Sequence, residues 1–271
     1  MEISWLYQMP IWVNGLLFVA VLFTAIEFGY RIGSRRYRAV GKATKKTGDD
    51  VTLASMLALL GLLLAFTYSF SLSRADMRKQ AILNEANAIG TAFLRADLAQ
   101  EPGRSALRQA LLDYARTRVP GKGLYGDALR AETERSLQVQ SRLWPATKQA
   151  LQGELPAPIQ ALIVQAVNEV LDMHAARIAV IRDRLPGAVL LLLVLVAATS
   201  LAVAAHNAAL NVHVNRGRMT AFAIALAALM LIIVDFDRGK EGLVQISDRP
   251  LLDLIRDLES DAGTLGQGPD P

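Results

Sequence analysis

Positions 51–73 form a run of 23 residues without a charged side chain, and the run includes Leu57-Ala58-Leu59-Leu60-Gly61-Leu62-Leu63-Leu64. As a helix it reaches about 34 Å, enough to cross about 30 Å of hydrocarbon. Three further blocks share this character, at 9–26, 186–205 and 219–234. Trp5, Tyr7 and Trp12 mark the start of the first, where amphipathic rings favour the headgroup zone. The third opens at Pro186 and is unbroken aliphatic from Leu190 to Val196. The fourth is the shortest and is read as a span through its pairing with the third and through Arg218, whose stem can snorkel. An overall 52% of hydrophobic residues would also suit a cytosolic enzyme, so it is their concentration in four blocks that points to a multi-pass membrane protein. The absence of cysteine excludes a disulfide-stapled scaffold and any thiolate metal site. Glu2 and the lack of Lys or Arg ahead of the first block argue against a cleavable signal peptide.

Between the second and third blocks, residues 74–185 carry 16 Lys+Arg and 12 Asp+Glu, the composition of a soluble domain. Its last helix has the clearest period: Ile159, Leu162, Ile163, Ala166, Val167, Val170, Leu171, His174, Ile178 and Ile181 recur at three and four, with Asn168, Glu169, Asp172 and Arg177 assigned to the other side. Residues 74–98 read as a continuation of the second span, 103–118 as a helix after Glu101-Pro102, and 127–151 as a helix kinked at Pro145. Residues 119–123 read as a loop. No segment alternates with period two, and no internal repeat is found. The expected fold is all-α: spans 1 and 2 with a basic loop at 27–50 (residues 1–73), a helical-bundle soluble domain (74–185), spans 3 and 4 (186–236), and a short amphipathic helix with a disordered tail (237–271).

The 27–50 loop holds Arg31, Arg35, Arg36, Arg38, Lys42, Lys45 and Lys46, and the segment before the first span holds no basic residue. The positive-inside rule therefore places this loop in the cytoplasm and the 74–185 domain outside. These seven cations abut a span without aromatic interleaving, so anionic lipid headgroups are the expected partner and nucleic acid is not. Glu27 lies four residues before Arg31, which points to a boundary ion pair rather than a proton site.

Several stretches carry a resemblance. Gly61-Leu62-Leu63-Leu64-Ala65-Phe66-Thr67-Tyr68-Ser69, then Arg74 and Arg78, then Asn84-Glu85-Ala86-Asn87-Ala88-Ile89-Gly90-Thr91-Ala92, and finally Val234-Asp235-Phe236-Asp237-Arg238 with Gln245-Ile246-Ser247, resemble the bestrophin-like domain family of bacterial multi-pass membrane proteins. The resemblance spans roughly residues 11–258, and Asn84 to Thr91 is its most specific part. It implies a bacterial inner-membrane location and, through bestrophins, a homo-oligomer (a pentamer there) conducting chloride or another small anion past a hydrophobic neck. The neck positions fall on Ala58, Leu62 and Phe66, and Arg74 matches the arginine that follows the span. Ala58 is small where bestrophins carry a bulky side chain, the proline of the animal neck is absent, and the acidic calcium clasp has no counterpart, because Asp235 and Asp237 supply too few oxygens. The resemblance also implies a cytoplasmic domain, opposite to the loop-charge expectation.

On the following helix Asn84, Asn87, Thr91 and Arg95 fall at i, i+3, i+7 and i+11. This stripe suits a hydrated anion path, or amides satisfied across a subunit contact among the small residues Ala86, Ala88, Gly90 and Ala92. His206 and His213, with Asn207, Asn211 and Asn215, read as a polar loop without metal-ligand spacing. No phosphate-cradling loop, nucleophile elbow or paired catalytic carboxylates occurs, so neither an enzyme nor a cofactor or metal site is expected. Two functions fit: an oligomeric anion channel of bestrophin-like build, and a membrane-anchored helical interaction or sensor module without transport.

Overall fold

The computed structural model describes residues 9–40, 47–119, 127–210, 216–238 and 246–264. These residues are helical, without a strand among them: α1 (Ile11–Val40), α2 (Thr47–Ala96), α3 (Gly103–Thr117), α4 (Asp127–Gln140), α5 (Leu143–Ala150), α6 (Ala157–Arg182), α7 (Gly187–Leu210), α8 (Arg216–Arg238) and α9 (Arg249–Thr264). Four segments, Ile11–Arg38, Val51–Ala96, Ala157–Leu210 and Gly217–Arg238, are long and apolar enough to cross a membrane. The helix α2 is 50 residues long, about 75 Å, more than twice the hydrocarbon thickness. Its uncharged part ends at Ser73, so the residues from Arg74 onward exceed what a bilayer core accommodates.

The chain divides into two units. The first comprises Met1–Ala75 and Arg184–Gln245 and holds α1, the first part of α2, α7 and α8. Its core is Phe18, Leu22, Leu60, Leu64, Leu190, Leu193, Ala197, Leu201, Ala223, Met230 and Ile233. Lipid tails are as apolar as these side chains, so association rests on close approach and internal hydrogen bonds. Gly29 and Gly33 provide the approach, because a Cβ at Gly29 would overlap the backbone carbonyl of Ala202 and one at Gly33 would stand 2.6 Å from the carbonyl oxygen of His206. Buried hydroxyls bond back to their own helices, Thr67 to the Leu63 carbonyl and Ser200 to that of Val196. At the end of α8, buried Asp237 accepts the Leu185 amide at 2.9 Å and lies 3.7 Å from Arg74.

The second unit comprises Asp76–Asp183 and Ile246–Pro271. Ile82, Ile89 and Phe93 of α2 pack with Leu107, Leu111 and Tyr114 of α3, Leu143 of α5, Ile163, Val167 and Val170 of α6, and Leu251 and Leu258 of α9. The amphipathic face read at 251–258 is thus covered by this core, and Arg116 pairs with Glu259 at 2.7 Å. Arg78 closes the end of α6, donating to the carbonyls of Asp183 at 2.8 Å and Val180 at 3.4 Å, where carbonyls lack intrahelical partners.

Four expectations change. The segment 27–50 is not a loop throughout: α1 continues to Val40, helped by arginines of good helix propensity and by Arg31 Nε donating to Glu27 at 2.8 Å. Lys42, Lys45 and Lys46 lie outside the described residues. The 127–151 segment is two helices rather than one kinked helix, because Pro145 has no N-H for a continuing ladder and takes the first turn of α5, where none is needed. His206 belongs to α7 and not to a polar loop, while His213, Asn211 and Asn215 lie outside the described residues. Arg177 is buried on the same stripe as Val170 and His174, and it is Leu162 and Ile181 that are exposed, because packing covers only about a third of a helix's circumference.

Candidate functional site: an exposed helix face and a buried charge cluster

In the first unit α2 buries Leu60, Leu64, Thr67 and Ser71 and turns its other side outward. Ala58 is exposed there, with Leu62 54% and Phe66 57% accessible. The three expected neck residues therefore share an exposed face of a membrane-length helix among the described residues. Arg31, Arg35, Arg36 and Arg38 are exposed on α1.

In the second unit Asn84, Asn87 and Thr91 are exposed and Arg95 is half-buried, its Nη1 donating to the Leu162 carbonyl at 3.3 Å. With Gln165, Glu169 and Met173 of α6 they line a groove of about 450 Å³ floored by Ala88 and Ala166. Oδ1 of Asn84 accepts from Nε2 of Gln80 at 2.8 Å.

Beside the stripe, facing inward, lies a cluster that the sequence reading did not single out. Glu85 is buried on α2, and its Oε1 accepts from the Tyr114 hydroxyl at 2.7 Å and from Arg118 Nε at 2.7 Å. Its Oε2 accepts from Arg177 Nη1 at 2.6 Å. Arg118 also donates to Ser136 Oγ at 2.9 Å, and Arg177 lies 3.6 Å from Asp248. Burial pushes the Glu85 carboxyl up, but the imidazole of His174 and the charges of Arg118 and Arg177 outweigh it and hold the group down to about 2. Burial, then the adjacent Glu85 charge, raises the Tyr114 hydroxyl above its ordinary range. An ionised Glu85 has no proton to give, so the Tyr114 hydroxyl donates to it, and the tyrosine oxygen is left to accept from Nδ1-H of His174 at 2.9 Å. The imidazole tautomer is thereby fixed. Two carboxylates, two guanidinium groups, a phenol and an imidazole join α2, α3, α6 and the segment leading into α9, and each carboxylate faces a guanidinium, as buried charge requires.

The signal for this cluster was in the register. Glu85 stands three residues after Ile82 and four before Ile89, and Arg177 three after His174, so both fall on apolar stripes. No cluster of His, Cys, Asp or Glu suited to a metal ion occurs among the described residues.

These features define a multi-pass helical membrane protein whose second span turns Ala58, Leu62 and Phe66 away from the core of its own unit. The chain belongs to the Bestrophin-like domain family, whose match runs over residues 18–251. Its fold is that of bacterial bestrophin homologues. A Klebsiella pneumoniae bestrophin homologue matches with a TM-score of 0.66 at 14% identity, over 96% of this chain and 100% of the other. A single-site tyrosine-to-alanine mutant of the Klebsiella pneumoniae homologue matches with a TM-score of 0.65 at 14% identity, over 93% and 99%. The crystal structure of a membrane protein with a proline-to-alanine mutation gives 0.66 at 14%, over 93% and 98%. No curated protein matches the chain.

Proposed function

We propose that this chain assembles into a ring in the bacterial inner membrane and conducts chloride or another small anion along the axis. The observation that carries this reading is the exposure of Leu62 and Phe66 on the side of α2 away from the first unit's core. In a ring of identical subunits such a face forms an apolar constriction, which gates by dewetting. Family membership and the shared fold with bacterial bestrophin homologues support the same build. The second unit is then the soluble domain, the stripe Asn84, Asn87, Thr91 and Arg95 faces water, and Arg31, Arg35, Arg36 and Arg38 meet anionic headgroups.

A second reading, a membrane-anchored helical interaction or sensor module without transport, is favoured by the interlocked second unit, which is built to hold one shape. The two differ in assembly. The mass of the detergent-purified protein, corrected for bound detergent, is expected to give a closed ring of about five subunits. A monomer or dimer contradicts the channel and leaves the module.

A further inference from the structure

The groove between the second half of α2 and α6 has the features of a solute site. Its volume of about 450 Å³ lies within the range of ordinary small-molecule pockets. Its floor is kept open by two alanines, Ala88 and Ala166, and its walls carry polar and charged side chains beside Met173. No hydrogen bond or ion pair occupies the side chains of Asn87, Thr91, Gln165 or Glu169 among the described residues. Asn84 already uses its Oδ1 toward Gln80, which leaves its N-H groups for the groove.

The charges decide what fits. Arg95 supplies a guanidinium at one end and Glu169 a carboxylate on the facing wall. A simple anion gains from Arg95 and is repelled by Glu169; a simple cation meets the reverse. A solute carrying both charges gains twice. α2 and α6 run antiparallel, because Glu85 meets Arg177 while Arg95 meets the carbonyl of Leu162. Glu169 lies seven residues beyond Leu162, an axial rise of about 10 Å. That rise separates backbone positions, and a ligand whose carboxylate and ammonium stand on one carbon can meet both side chains within the groove through charge-assisted hydrogen bonds of about 2.8 Å each.

We propose that this groove binds a polar α-amino acid, with Arg95 receiving the carboxylate, Glu169 the ammonium, and the amides of Asn84, Asn87 and Gln165 the side chain. This reading does not depend on conduction, and its test does not measure flux.

The test is calorimetric titration of the detergent-purified full chain at constant ionic strength, with L-asparagine and L-serine as probes and sodium acetate and methylammonium chloride as single-charge controls. Saturable binding of an amino acid is expected, with neither control binding. Arg95→Gln and Glu169→Gln are each expected to weaken it about tenfold or more. Asn87→Trp, an exposed position where added bulk fills the groove without entering the core, is expected to abolish it with the unfolding temperature unchanged. Absence of binding by both amino acids overturns the proposal. So does acetate binding as tightly as the amino acids, which marks an anion site, or amino-acid binding that survives all three substitutions, which places the site elsewhere.

Discussion

Arg177 holds Glu85 at 2.6 Å inside the second unit, so α6 is tied to α2 by a charge pair from which solvent is excluded. The depressed carboxyl fixes the sign of the pH dependence. A group held down to about 2 in the folded chain contributes stability that is fully present above its ordinary value near 4.5 and is lost as pH falls from there toward 2. The amount at stake is on the order of 3 kcal/mol. Glu85→Gln is expected to lower the thermal unfolding temperature at pH 7 and to flatten its fall between pH 5 and 3. Equal acid slopes for wild type and variant would show that this pair does not govern acid stability.

The approach of α1 to α7 leaves no room at Gly29. A Cβ there would overlap the Ala202 carbonyl, and backbone cannot yield as a flexible side chain can. Gly29→Leu is expected to eliminate the monodisperse peak in size-exclusion chromatography, whereas Leu16→Ala, at an exposed position of the same helix, preserves it. A normal peak and melt for Gly29→Leu would disprove the packing.

Leu251 and Leu252 are neighbours in α9 with opposite surroundings, the first fully buried in the second unit's core and the second exposed. Leu251→Ala is expected to cost about 3 kcal/mol, and Leu252→Ala under about 0.5 kcal/mol. Denaturant unfolding followed by circular dichroism separates them, and equal effects would mean that α9 is not part of this core.

Loop charge predicts that the second unit lies outside the cytoplasm. The chain has no cysteine, so one introduced at exposed Gln138 of α4 is unique. Gln138→Cys is expected to react with a membrane-impermeant maleimide in intact cells. Labelling only after permeabilisation reverses the sidedness and agrees with the bestrophin likeness.

The spans were legible because length and the absence of charge suffice to mark a membrane helix, and the run 51–73 offers no alternative. The face Ala58, Leu62 and Phe66 was legible only through the resemblance, since in a uniformly apolar helix no polarity contrast tells the covered side from the uncovered one. The charge cluster was missed for a different reason. A buried acid and a solvated acid are the same letter, and Glu85 stands between Asn84 and Asn87, whose amides drew attention to the outer face. Its partners Tyr114, Arg118 and Arg177 come from 29, 33 and 92 residues away, separations at which helical periodicity carries no information. The place of α9 in the second core was hidden likewise, because an amphipathic pattern shows that a face is covered and not what covers it.

Chloride flux from liposomes reconstituted with the purified protein, wild type against Phe66→Ala, tests the central claim most directly. The channel reading expects flux from the wild type above protein-free liposomes and a several-fold change when the exposed ring is cut back, since a shorter apolar side chain widens the constriction. No flux above the protein-free level from either protein would contradict it.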